Sequence, residues 1–284
     1  MSRFDDFVRD RKYLSNVSPN TVRWYIHAFK WLPSDSPTQA QLKDAVLRMR
    51  EAGLKETGAN AVIRAVNAYL HWGSGSERKC GAGCTHPRLQ QLKEPQNILP
   101  TLTDAQVRRL VTWKPSAKSF HKRRLHLLAL LLLDIGCRIS EALGLRLSDI
   151  DLDNMLVTLN GKGRKQRIVP FSFALRKAIH RFIADFGLRA EHLLFSTLDR
   201  VQVRRMSALR SIKLLCRQLG FEPPVRTLHA FRHTFALNYI RQGGSVFHLQ
   251  KALGHSSLEM TKRYVSLVVT DLQAVHERVS LLSK

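Results

Sequence analysis

Acidic residues are scarce in this chain, cysteines are scarcer, and long apolar runs are missing. Each shortage excludes something. Four cysteines in 284 residues, with no disulfide-framework spacing, exclude a small cross-linked secreted scaffold and point to a reduced, cytoplasmic protein. The most apolar run, LHLLALLLL from Leu125 to Leu133, is far shorter than the roughly 20 residues that span a bilayer. The opening MSRFDDFVRD has no apolar signal core, so no membrane partner is expected. Neither a Walker-type loop nor a dinucleotide-binding glycine pattern occurs; nothing points to ATP or NAD, and no cofactor is expected. Only 22 Asp and Glu stand against 46 Lys and Arg, a net charge of +24. A surface kept basic for solubility alone does not need such an excess. A polyanion is the expected partner, with DNA or RNA first.

What is present suits a soluble globular chain, with 44% hydrophobic and 24% charged residues. The length allows one large domain or two ordinary ones. Residues 1–94 carry 15 Lys and Arg against 9 Asp and Glu (+6), and residues 95–284 carry 31 against 13 (+18). Both parts can face phosphate, the second more strongly.

The first part reads as a compact helical domain, 1–94 with its linker. Ser18-Pro19 supplies an N-cap and a first-turn proline, and Val22, Tyr25, Ile26, Phe29 and Leu32 follow at helical spacing. Ser36-Pro37-Thr38 opens a second helix through Leu42, Val46 and Met49, ending at Gly53; a third runs from Gly58 to His71. Trp24, Trp31 and Trp72 read as core rather than as stacking platforms for bases. From Gly73 to Pro100 the periodicity lapses. Cys80, Cys84 and His86 lie close together there, but a zinc site takes four ligands and only His71 offers a fourth. The stretch reads as an exposed, reduced loop, and no metal is expected.

The second domain, 95–284, opens with the capping pattern Thr101-Leu102-Thr103-Asp104 and a helix through Val107, Leu110 and Val111. A buried helix over 122–135 and a short one over 139–145 follow. Met155–Leu159 and Arg167–Phe171 read as strands around the turn signal Asn160-Gly161-Lys162-Gly163. Helices are then predicted over 172–186, 200–219, 229–242, 245–253 and 257–267. The fold class is mainly α with one small antiparallel sheet.

Four groups in this second domain fit phosphodiester cleavage without a metal. Such a reaction needs a nucleophile, neutralisation of a pentacoordinate transition state, and a proton for the departing oxygen. Tyr264 suits the first, given cationic neighbours, since a free phenol titrates near ~10. Ser256 and Glu259 form a capping pattern at the start of its helix. Arg138 and Arg232 suit the second, because guanidinium stays charged and grips two phosphate oxygens in a fork. Glu141, three residues after Arg138, is placed to orient it. Lys162, glycine-flanked in its hairpin, suits the third if neighbouring cations lower its pKa. Lys122-Arg123-Arg124, Arg164-Lys165, Arg204-Arg205 and Arg210 are candidates for sequence-independent phosphate contacts. His27, His71 and His126 read as structural, and Cys137 and Cys216 as core.

These residues, in Gly136-Cys137-Arg138-Ile139-Ser140-Glu141, GKGRKQRIVP, Leu228-His229-Ala230-Phe231-Arg232-His233 and LGHSSLEMTKRY, closely resemble the tyrosine recombinase (phage integrase) family, in its simple two-domain form. The likeness covers the C-terminal two-thirds, and Phe231 in place of a common leucine is a conservative departure. The resemblance implies a helical core-binding (SAM-like) domain that clamps duplex DNA, with no arm-binding domain ahead of it, and a mostly α catalytic domain. It implies catalytic roles for Arg138, Lys162, His229, Arg232, His255 and Tyr264. His229 would accept or share the tyrosine proton, and His255 would donate to a non-bridging phosphate oxygen. It further implies double-stranded DNA with inverted-repeat half-sites as partner, a dimer per site and a tetramer in the synapse, at the nucleoid.

Two rivals remain at this stage. A type IB topoisomerase shares the chemistry, and a regulator descended from a recombinase would bind DNA without cutting it; the presence of all six catalytic residue types argues against the second. Beyond Tyr264, an apolar stripe of Val265, Leu267, Val268, Leu272, Val275, Val279 and Leu282 fits a helix. That helix either folds back on its own domain or, as the resemblance implies, docks into a neighbouring protomer.

Overall fold

The structure, a computed structural model, describes residues 2–75, 87–95, 99–161, 165–255 and 257–265. The Cys80, Cys84 and His86 cluster, Lys162, Arg164, Ser256 and the apolar stripe after Val265 lie outside the described residues. The chain divides into two compact units, Met1–Asn97 and Ile98–Lys284.

Among its described residues, the first unit holds four helices: α1 (Arg3–Tyr13), α2 (Pro19–Phe29), α3 (Gln39–Glu51) and α4 (Glu56–Gly73). Ser18 caps α2 by accepting from the Thr21 N–H, and Thr38 caps α3 in a reciprocal pair with Gln41. Gly53 ends the α3 turn with a left-handed φ of 82°. Helix α1 was not expected. Its sequence RFDDFVRDRKY is dominated by charge, so the periodic signal rests on Phe4, Phe7 and Val8 alone. Phe7 is nevertheless fully buried, edge-on to Tyr25, Tyr69 and Trp72. Burying one such ring stabilises the unit by about 1.5–3 kcal/mol, enough to fix a polar helix. Trp24 and Trp72 pack against this cluster, and the Trp72 indole N–H donates to Asp10.

In the second unit, α5 (Asp104–Thr112), α6 (Phe120–Ile135) and α7 (Ile139–Leu143) are followed by a 3₁₀ turn at Leu147–Asp149. A three-stranded antiparallel sheet comes next, in the order β1 (Ile150–Asp151), β2 (Leu156–Asn160), β3 (Gln166–Pro170). Then come α8 (Phe173–Phe186), α9 (Arg205–Gln218), α10 (Thr227–Arg241), α11 (Val246–Leu253) and α12 (Glu259–Val265). Helix α6 is the centre: it touches α5, α7, α8, α9 and α10, and buries Leu127, Leu128, Leu131, Leu132 and Ile135. Thr103 caps α5 in a reciprocal pair with Gln106, as the capping pattern foretold.

Two expectations need correction. Strand β1 was not predicted, because two residues are too short to show alternation. The helix expected from residue 200 starts at Arg205. Arg200 takes a left-handed φ of 60°, and Ser196 and Gln202 form an isolated bridge, so the chain turns before it can coil. Among the described residues, no helix is long and apolar enough to cross a membrane.

Candidate active site

Helix α6 ends at Gly136, whose φ of +60° places it in the left-handed region. A Cβ there would lie 2.2 Å from the Phe235 ring, so only glycine lets the chain turn this close to α10. Two residues later Arg138 caps α7. Its backbone N–H donates to Glu141 Oε2 at 2.8 Å, and its Nη1 donates to Glu141 Oε1 at 3.0 Å. The predicted orienting pair is present. The Arg138 side chain is 35% exposed while that of Glu141 is 3% exposed, so the arginine is anchored to a buried carboxylate and still partly open.

Glu141 also takes a second arginine to which the sequence reading gave no role. Arg167 donates from Nη1 and Nη2 to the two carboxylate oxygens at 2.9 and 2.8 Å, and from Nε to Ala252 O at 2.7 Å. Burial alone would raise the Glu141 pKa. The bonds from Arg167 and Arg138 outweigh it and hold the carboxyl below its ordinary value. A signal for Arg167 does exist in the sequence. It faces Leu159 across the β2–β3 ladder, and Val157, Leu159 and Val169 are all buried, so an inward slot of the strand carries a charge.

Helix α10 projects His229, Arg232 and His233. Arg232 is 5% exposed and spans two carbonyls, Nη1 to Gly136 O at 2.9 Å and Nη2 to Leu253 O at 2.7 Å. Burial and then Arg138 lower its pKa to about 10, so it stays charged at neutral pH. The end of α11 is therefore a gathering point. Its last carbonyls Ala252, Leu253 and Gly254 each accept from a different arginine, namely Arg167, Arg232 and Arg138, the last at a long 3.4 Å. The negative pole of the helix favours cations there. Gly254, at φ +65°, leaves room for the Arg167 side chain, which a Cβ would meet at 3.1 Å.

His255 follows at once. Its ring lies parallel to the Tyr264 ring, 8° between planes and 6.3 Å between centroids. Tyr264 is 3% exposed, and its hydroxyl shares a hydrogen bond of 2.9 Å with His233 Nδ1. His233 in turn stacks on His229, 6.3 Å away. Five of the six expected residues thus meet in one cluster, Lys162 lying outside the described residues. His233, quoted within the motif but left without a role, is the imidazole in contact with the phenol. Adjacency to Arg232 in sequence gave no hint of this, because the contact is made across the fold by α12.

Burial and the surrounding cations together set the protonation of the cluster. Burial first, then His229 and Arg232, push His233 down to about 4; burial first, then Arg232 and Arg138, do the same to His255. Partial desolvation and then Arg205 and Arg232 lower His229. The folded chain holds His233 and His255 neutral, whereas the unfolded chain protonates them near 6.5. The stability this contributes is complete above about pH 6.5 and is lost as pH falls toward 4. We expect the Tm to decline across that window in calorimetric scans, and His255→Asn to flatten the decline. Equal slopes would place the titration elsewhere. The two described cysteines offer no rival nucleophile, since burial raises the Cys137 thiol to about 12 and Cys216 to about 11.

Of the basic groups expected at phosphate, Arg123 and Arg124 are engaged within the fold. Arg123 pairs with Asp185 and lies over the Phe186 ring, and Arg124 donates to Ser196 O. Lys122, Lys165, Arg204, Arg205 and Arg210 are exposed. His126, on α6, packs edge-on to Trp113 at the end of α5, in keeping with a structural role.

A helical unit that gathers three arginines, three histidines and a buried tyrosine around one helix end defines a class, the tyrosine-type DNA strand-breaking and rejoining enzymes. Residues 100–269 match the sequence model of the phage integrase family. Tyrosine recombinase XerA of Thermococcus kodakarensis is 29% identical over 277 residues, covering 95% of this chain and 93% of the relative. Tyrosine recombinase XerC of Mycobacterium bovis is 31% identical over 255 residues, covering 86% and 84%. The fold also matches a crystal structure of the XerH site-specific recombinase bound to a palindromic difH substrate in a post-cleavage complex, with a TM-score of 0.73, 17% identity, and 99% of this chain and 84% of that one covered. The chain belongs to the phage integrase family and is a site-specific tyrosine recombinase.

Proposed function

We propose that this recombinase cuts each strand of double-stranded DNA through a 3′-phosphotyrosine bond on Tyr264 and rejoins it without ATP or a metal ion. The observation that carries this reading is the Tyr264 hydroxyl, buried and hydrogen-bonded to a neutral imidazole beside Arg232. His233 is in place to take the phenol proton as the oxygen attacks phosphorus. Arg138 and Arg232 neutralise the charge on the non-bridging oxygens, and His255 donates to one of them. The bond from phosphorus to the 5′ oxygen breaks, and Lys162 protonates that oxygen. The released 5′-hydroxyl of a partner duplex then attacks the phosphotyrosine, the protons retrace their path, and Tyr264 is regenerated. The ester keeps the energy of the bond it replaced, so no nucleotide cofactor is consumed.

The partner is duplex DNA with inverted-repeat half-sites, bound by a dimer per site and a tetramer in the synapse. The net charge of +24 and the palindromic substrate of XerH support this. The test is a nicked suicide substrate from which the short leaving fragment, the one bearing the free 5′-hydroxyl, diffuses away. We expect a covalent adduct on substrates carrying the inverted repeat, undiminished by excess EDTA. Adduct on every duplex alike would favour a topoisomerase, and none at all a DNA-binding regulator.

Lys162→Ala should cleave slowly, by about 10²–10⁴-fold as expected for loss of a general acid. A substrate with a 5′-bridging phosphorothiolate, whose sulfur leaves unprotonated, should restore the rate. Equal slowness on both substrates would remove Lys162 from that role.

A further inference from the structure

We propose that Thr261 is a positioning residue for cleavage: its hydroxyl donates to His255 Nδ1, fixes that imidazole as the Nε2–H tautomer, and so ties the phosphate-facing N–H to the seating of the nucleophile helix. The inference rests on the reading of His255 as a donor to phosphate.

The geometry is simple. Thr261 Oγ1 and His255 Nδ1 lie 2.9 Å apart, and Thr261 is fully buried. Among the described residues, neither atom has a second hydrogen-bond partner. A hydroxyl carries one hydrogen, and an imidazole nitrogen is either donor or acceptor. If Nδ1 donated to Oγ1, the threonine hydrogen would be stranded in the interior, where an unmade bond is costly. If Oγ1 donates, both groups are satisfied and the single ring proton must sit on Nε2. Burial and then the arginines near His255 disfavour a second ring proton, so the tautomer decides whether the ring can donate at all. Thr261 stands three residues before Tyr264, one helical turn away, and both side chains are buried against the domain. One face of α12 therefore carries the nucleophile and the group that orders the histidine. When α12 leaves its seat, His255 loses its orienting donor as the phosphate loses its nucleophile.

The test uses the full-length protein with Thr261→Val, which keeps the shape and loses the hydroxyl, and Thr261→Ser, which keeps the hydroxyl. Nitrogen-15 NMR of the His255 ring in the free protein should show Nε2–H in the parent and in Thr261→Ser, and a shift toward Nδ1–H in Thr261→Val. On the suicide substrate, Thr261→Val should form adduct about 10–100-fold more slowly, as loss of an orienting partner does elsewhere, with DNA binding unchanged. Thr261→Ser should stay near the parent rate. Thr261→Val combined with His255→Ala should be no slower than His255→Ala alone. Should Thr261→Val be insoluble, Thr261→Ala carries the same comparison. A parent ring found as Nδ1–H, a serine variant as slow as valine, or losses that multiply in the double variant would each overturn the proposal. Absence of adduct from the parent would instead sink the recombinase mechanism, while the tautomer result would still stand or fall by itself.

Discussion

Tyr264→Phe is expected to give no covalent protein–DNA adduct while binding half-site DNA as tightly as the parent. The substitution removes one oxygen, and the exposed Lys122, Lys165, Arg204, Arg205 and Arg210 are untouched. Loss of a nucleophile that acts as part of a unit costs on the order of 10⁶-fold in chemistry, so the adduct should fall below detection. The hydrogen bond to His233 Nδ1 goes as well, and thermal unfolding should register about 1 kcal/mol of lost stability. Denaturing gels on the suicide substrate, with gel shifts alongside, check both parts. Parent-level adduct would place the nucleophile elsewhere.

Arg138→Lys and Arg232→Lys should each slow cleavage by at least about 100-fold although both keep their charge. An ammonium is a point donor and cannot present the two-pronged fork that grips two phosphate oxygens. The two variants should differ in stability. Arg138 is partly exposed and anchored mainly to Glu141, so its replacement by lysine should leave the fold nearly intact. Arg232 is buried and spans Gly136 O and Leu253 O; lysine leaves one carbonyl unpaired, at about 1–3 kcal/mol. Single-turnover cleavage with urea unfolding separates the two effects. Near-normal cleavage by either variant would remove that arginine from the transition state.

Much of this was legible in the sequence because it was written in local spacing. The Arg138–Glu141 pair and the caps at Ser18, Thr38 and Thr103 all depend on residues three apart. What escaped was set by contacts between distant segments. The bridge from Arg167 to Glu141 joins β3 to α7, that from His233 to Tyr264 joins α10 to α12, and that from Thr261 to His255 crosses the turn between α11 and α12. Helix α1 escaped for a different reason: it buries a single phenylalanine fully, too weak a periodic signal to stand out among the charges around it. The convergence of three arginines on the end of α11 could not be read from charge count, since a guanidinium that orders the site and one that grips phosphate have the same letter.

Tyr264 is expected to carry the severed strand. Trapping the parent on a suicide substrate, digesting with trypsin and sequencing the DNA-linked peptide by mass spectrometry tests it directly. The expected product is a 3′-phosphate esterified to Tyr264; a DNA adduct on any other residue, or a 5′-linked strand, would overturn the assignment.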